Sequence, residues 1–167
     1  NKGIGAIKLL REYVPRTSLL TLYKAFVRPH LDYADVIYDK PNNDSFSNKI
    51  ETVQYNAALA ITGAVRGSSK EKLFQELGLE YLSNRRWFHG VLLFYKIITS
   101  KSREYLYKLI PLYNTNYVTR NSSFRSPFCR TESFKNSFIP YSINEWNKLD
   151  SSIRHSVIVI LCFEINF

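Results

Sequence analysis

Proline at position 29 falls inside a strongly helical pattern, and this conflict constrains the chain more than any other feature. Leu19, Leu22, Tyr23, Phe26, Val27, Leu31, Ala34, Ile37 and Tyr38 recur at the spacing of one helix face. Thr17 or Ser18 can cap the start by accepting a backbone N–H. Pro29 has no N–H for the Ala25 carbonyl, and its ring crowds that carbonyl. Arg28, the residue before it, is pushed away from helical angles. The stretch therefore predicts two helical pieces joined at a kink near Arg28–Pro29.

The pattern continues as helices on both sides. Residues 4–14 place Ile7, Leu10 and Val14 on one face, and Pro15 ends that helix. Turn residues mark 40–45 as a loop. Asn48 with Glu51 resembles a capping box, and Ile50, Val53, Ala57 and Ile61 form an inward stripe that Gly63 stops. The small Ala57, Ala58 and Ala60 let another backbone approach, which predicts a central helix. Ser68 and Glu71 form a second capping box for a short helix with Leu73, Phe74 and Leu77 inside, closed by Gly78. Ser83 can cap a helix over 84–99 with Trp87, Phe88, Val91, Phe94, Tyr95 and Ile98 on one side. Gly90 inside it costs about 1 kcal/mol relative to Ala, which predicts a close approach by another element. Residues 102–110 read as a short helix ended by Pro111. From 111 to 138 the period is lost, and Pro140, Ser142 and Glu145 start a last helix near 141–149 anchored by Trp146. The expectation is a mainly α-helical bundle over 1–110, followed by an irregular C-terminal extension over 111–167.

Charge points to a polyanionic partner. The chain carries a formal +9 and a pI of about 9.6, and nucleic acid is the simplest such partner. Residues 81–120 hold seven Lys/Arg against Glu104 alone, a net of +6, whereas 41–80 hold four against five. Arg85, His89 and Lys96 share one side of the 84–99 helix, with Arg86 beside them. Cations interleaved with aromatics suit a nucleic-acid groove, and these four are the candidate phosphate contacts. Cys129 and Cys162 are the only cysteines, which gives neither a disulfide framework nor a zinc site and makes a reducing compartment the default. The apolar run Val157–Phe163 is too short to span a bilayer. The absence of Met and of a leader predicts a piece of a longer reading frame.

The segment "LYKAFVRPHLDYADVIYD" (22–39) resembles the region just downstream of the polymerase palm in reverse transcriptases of jockey-type non-LTR retrotransposons, the LINE elements. Four further blocks are similar to that family in the same order: "IETVQYNAALAITGA" (50–64), "ELGLEYLSNRRWFHGVLLFYKI" (76–97), "RSPFCRTESFKNSF" (125–138) and "IPYSINEWNKLDSSIRHS" (139–156). The resemblance implies the thumb and post-thumb region of an RNA-directed DNA polymerase. It implies a grip on primer–template nucleic acid, RNA–DNA hybrid or duplex, through the backbone, and a palm domain supplied elsewhere. It also implies an intracellular, nuclear setting for the parent element. Similar proteins end in a polar, helix-like tail, whereas Ser156–Phe163 here is apolar and strand-like.

The parent polymerase would use Mg²⁺ held by clustered carboxylates. Tyr33-Ala34-Asp35 imitates part of such a turn, but Val36 stands where a second Asp is needed, and the flanks are helical. The fragment is therefore expected to be non-catalytic, with no metal or cofactor of its own. His30, Asp32 and Asp35 could form a metal cluster. Polar groups at a helix junction, with Arg28 as ion-pair partner, fit them better. No Ser or Cys has the partners of a nucleophile. The rival reading is a free-standing helical protein-interaction module; an independent metal hydrolase lacks its carboxylates.

Overall fold

In the computed structural model, which describes residues 2–39, 44–100, 104–111 and 124–150, every regular element among the described residues is helical. The described residues form two compact units, 1–89 and 90–167.

The first unit opens with α1 (Lys2–Leu10), shorter than its pattern because the Tyr13 and Val14 N–H groups both turn back onto the Leu10 carbonyl. Pro15 itself is the N-cap of α2 (Arg16–Leu22), with Thr17 and Ser18 already inside the helix and no side-chain cap. The conflict at Pro29 is resolved upstream of the proline. Tyr23–Val27 form a π-turn in which the Arg28 N–H reaches the Tyr23 carbonyl, five residues back. Widening the turn moves the Ala25 carbonyl away from a ring that has no N–H to offer it. Arg28 thus keeps helical angles (φ −60°, ψ −39°), contrary to expectation, and Val27 (φ −100°) carries the distortion.

The helix resumes as α3 (Arg28–Asp32), with Pro29 in its first turn, where no donor is needed. The full break comes later. Tyr33 is extended and Ala34 is left-handed (φ 55°), and only then does α4 (Asp35–Tyr38) begin. A left-handed residue with a Cβ costs about 1–2 kcal/mol, so the surroundings must hold this corner. The Tyr38 hydroxyl does so from one side by donating to the Leu31 carbonyl.

Helix α5 (Asp44–Thr62) is the centre of this unit and packs on α1, α2 and α6 (Lys70–Leu77). Ala57, Ala58 and Ala60 are fully buried, as small residues at a close helix crossing should be. Ile4, Ile7, Leu19, Tyr23, Ile61 and Phe74 complete the core around them. Because α5 starts before Asn48, the Asn48–Glu51 capping box does not form; the Asn48 carbonyl instead accepts from Thr52 Oγ1 at 2.6 Å. Gly63 (φ 77°) and Gly78 (φ 59°) terminate α5 and α6 as expected. The cap of α6 is Ser69, one residue beyond Ser68, accepting from the Lys72 N–H.

Helix α7 (Leu82–Ser100) starts earlier than Ser83 predicts as a cap. The Ser83 N–H donates to Oε1 of the buried Glu51 at 3.0 Å. A carboxylate from α5 thus meets the first turn of α7, where backbone donors have no intrahelical partner and the helix dipole favours negative charge. The inward face of α7 in the second unit is Val91, Phe94 and Ile97; Trp87, placed in the core by its helical position, is instead 36 % exposed. Among the described residues a Cβ at Gly90 would meet nothing within 4 Å, so no close approach by them explains that glycine.

In the second unit, α8 (Glu104–Tyr107) is followed by the buried Ile110, and α9 (Glu132–Lys135) is a helical turn capped by Thr131 where irregular chain was expected. Helix α10 (Phe138–Lys148) begins earlier than expected because Pro140 fits its first turn. Trp146 packs against Phe94 and Tyr95 at ring separations of 5.8 and 6.0 Å. The Asn147 amide accepts from the Phe124 N–H (3.3 Å) and donates to its carbonyl (2.8 Å), tying the irregular segment to α10. The apolar tail Val157–Phe163 and Cys162 lie outside the described residues. Among the described residues, no helix is long and apolar enough to cross a membrane.

Tyr23 links α5 to the π-turn. Its hydroxyl donates to Gln54 Oε1 at 2.8 Å, and Gln54 Nε2 donates to the Glu80 carbonyl at 2.8 Å. Burial, more than the neighbouring charges, pushes the Tyr23 phenol well above its ordinary value of 10.0. The unfolded chain therefore releases this proton first, and stability should fall as pH rises above about 10. Tyr23→Phe should cost about 1–3 kcal/mol at neutral pH, since it leaves the Gln54 carbonyl buried without a donor, and should weaken the alkaline decline. Urea denaturation at neutral and alkaline pH measures both effects.

Candidate functional site

The cations predicted on α7 are brought to the chain's own carboxylates. The corner at Tyr33–Ala34 turns the backbone so that Asp32, at the end of α3, and Asp35, at the start of α4, both reach α7. Arg85 Nη2 donates to Asp32 Oδ2 at 2.9 Å, and Arg28 Nε lies 3.7 Å from the same oxygen. The ion pair expected for Arg28 is therefore present, with Arg85 as the stronger partner. His89 Nδ1 is 2.5 Å from Asp35 Oδ2, while the Val36 N–H donates to Asp35 Oδ1 at 2.7 Å. Asp35 is buried, which a carboxylate tolerates only with such partners.

Arg86 is 4 % exposed. Its Nε donates to Asp39 Oδ1 at 2.9 Å and its Nη2 to Ser47 Oγ at 3.0 Å. A guanidinium so placed is out of reach of a phosphate, which corrects the expectation that Arg86 joins a binding face. Arg85 and His89 keep about a quarter of their side-chain surface exposed but are engaged with Asp32 and Asp35. Lys96 is exposed and lies farther along α7, in the second unit. The helical wheel found these residues, but their carboxylate partners lie about fifty residues earlier in the chain. Burial of the ring and the nearby Asp35 charge also raise the Tyr38 phenol above its ordinary range.

Among the described residues, Asp32, Asp35 and His89 form one group whose ligand atoms all lie within 4.8 Å of one another. His30, part of the cluster that the sequence suggests, is exposed on α3, and His89 takes its place. The donor set fits charge pairing better than a metal. A cation on Asp32 would have to displace Arg85 and sit beside Arg28, two fixed positive charges. Nor does the group form a catalytic triad. Asp35 can orient the His89 ring, but no hydroxyl or thiol among the described residues is bonded to it. What this arrangement does is lock the α3–α4 corner onto the first half of α7 through partly buried ion pairs.

No protein-family model, curated protein or solved structure is similar to this chain.

Proposed function

We propose that the chain is a non-catalytic, nucleic-acid-holding region of a mobile-element reverse transcriptase, the thumb and post-thumb part of a jockey-type LINE polymerase. The observation that carries this reading is the surplus of cations that remains after the internal ion pairs are formed, in a chain of formal charge +9. Asp32 and Asp39 are neutralised by Arg85 and Arg86 inside the fold, which removes charge of both signs equally, and residues 1–89 keep their surplus of thirteen Lys/Arg over nine Asp/Glu, a net of +4. Such a surface contacts phosphates, which position a duplex without reading its sequence. The ordered sequence blocks support the family. Asp35 supports the non-catalytic part, since a buried carboxylate paired with His89 has no place in a two-metal site.

The second reading, a protein-interaction module, is favoured by Phe26, Tyr33 and Ile37, large apolar side chains that stand out to solvent along the α2–α4 stretch. Fluorescence anisotropy with two RNA–DNA hybrids of unrelated sequence separates the two readings. Backbone binding predicts equal affinities, and primer extension with Mg²⁺ on an RNA template should give no incorporation. An interaction module would bind neither hybrid. Incorporation abolished by Asp35→Asn would overturn the non-catalytic assignment.

A further inference from the structure

We infer that the phosphate-binding surface of the first unit is a groove between α1 and α5 lined by Lys8, Arg11 and Arg66. This inference rests on the reading of the chain as a nucleic-acid binder and assigns that activity to residues apart from α7. The groove has a volume of about 600 Å³. Lys8, Arg11 and Arg66 face Glu12 as the one acid on its walls, a local net of +2. All three cations are exposed, and none has an ion-pair or hydrogen-bond partner among the described residues. They differ in this from Arg85, Arg86 and His89, whose charges are met inside the fold. Three like charges around one depression repel each other, and an anion seated there relieves that repulsion.

The groove is also shaped by the fold. The Arg11 guanidinium lies over Gly63, its Cζ 3.0 Å from where a Cβ would stand. A side chain at 63 would push the guanidinium aside, and the same glycine ends α5 at φ 77°. The last carbonyls of α5 favour a cation at this point, and Arg16 Nη2 donates to the Thr62 carbonyl nearby at 3.1 Å. Arg11 thus lies at the rim beside the end of α5 with its N–H groups available to a ligand. Asn56 on the α5 wall adds a neutral amide able to donate or accept. Three cations lining one groove suit a nucleic-acid backbone carrying several phosphates better than one small anion.

The test compares wild type with Lys8→Gln/Arg11→Gln/Arg66→Gln and with Lys70→Gln/Lys72→Gln, which removes charge from α6 outside the groove. Circular dichroism should show unchanged helicity in both, as Gln is a good helix former. Hybrid binding is followed by anisotropy as a function of salt. The groove variant should bind two unrelated hybrids more weakly by the same factor. Its log–log salt slope should flatten by about two to three units, at about 0.9 for each phosphate that is no longer neutralised. The α6 variant should keep most of the wild-type slope. If the groove variant binds like wild type, this assignment falls while the nucleic-acid reading stands. If both variants flatten the slope equally per charge removed, net charge and not the groove is responsible, and the assignment falls. Competition by inorganic phosphate at millimolar concentration would mark a lone-anion site, and competition by polyglutamate as effective as by hybrid would mark an acidic protein partner; either overturns it. A wild-type chain that binds no hybrid overturns this inference and the proposed function together.

Discussion

Trp146→Ala should cost about 3–5 kcal/mol of folding free energy, whereas Trp87→Ala should cost less, about 1–2 kcal/mol. The two tryptophans are the only ones in the chain, one in each packing unit. Trp146 is 5 % exposed and fills the second core with Val91, Phe94, Ile97 and Ile143. Truncating it removes the largest side chain from a cluster in which these partners are fixed along α7 and α10, so the gap closes only in part. It also removes two aromatic contacts, each worth about 0.5–1.5 kcal/mol. Trp87 is 36 % exposed, so its truncation gives up less burial than that of Trp146. Urea titrations followed by circular dichroism give both values. In each variant the remaining tryptophan reports by fluorescence on the other unit. A larger loss for Trp87→Ala would mean that the inward face of α7 is misassigned.

Asp35→Ala should cost about 2–4 kcal/mol, because it strips His89 and the Val36 N–H of their buried acceptor and leaves a void under the α3–α4 corner. The partly exposed His89 ring can recover some hydration, which keeps the effect below that of a fully buried pair. Asp35→Asn retains an acceptor oxygen and nearly the same volume, so its cost should be about 1 kcal/mol. A double-mutant cycle between Asp35→Ala and His89→Ala should return a coupling of about 1–3 kcal/mol, as expected for groups in direct contact. Additive effects would show that the pair is adventitious and that Ala34 is held left-handed by something else.

The helices are far more legible in the sequence than the site is. The alanines of α5 and the glycines at 63 and 78 act locally, and local signals survive folding. Pro29 announces a disturbance, but one extra residue in the preceding turn absorbs it and leaves Arg28 helical. The sharper break sits at Ala34, a residue with no turn preference, whose conformation is imposed by the Asp32, Asp35 and Tyr38 contacts around it. On α7 the wheel places Val91 and Phe94 inward, but it groups Trp87 with them and leaves Arg86 on the open side. It has no means of showing that Asp39 and Ser47 close over Arg86 and leave Trp87 outside. Glu51 shows the same limit. It looks like half of a capping box in its own helix, yet it caps the start of α7 across the core. Pairings across about thirty to fifty residues decide which charges are structural, and periodicity within one helix does not contain them.

The most direct test of nucleic-acid holding is the affinity of the whole chain for one RNA–DNA hybrid between roughly 50 and 200 mM salt. Backbone binding through several cations predicts a straight line of log affinity against log salt, with a slope of about −2 to −3 or steeper. No binding at the lowest salt, or a slope near zero, would contradict it.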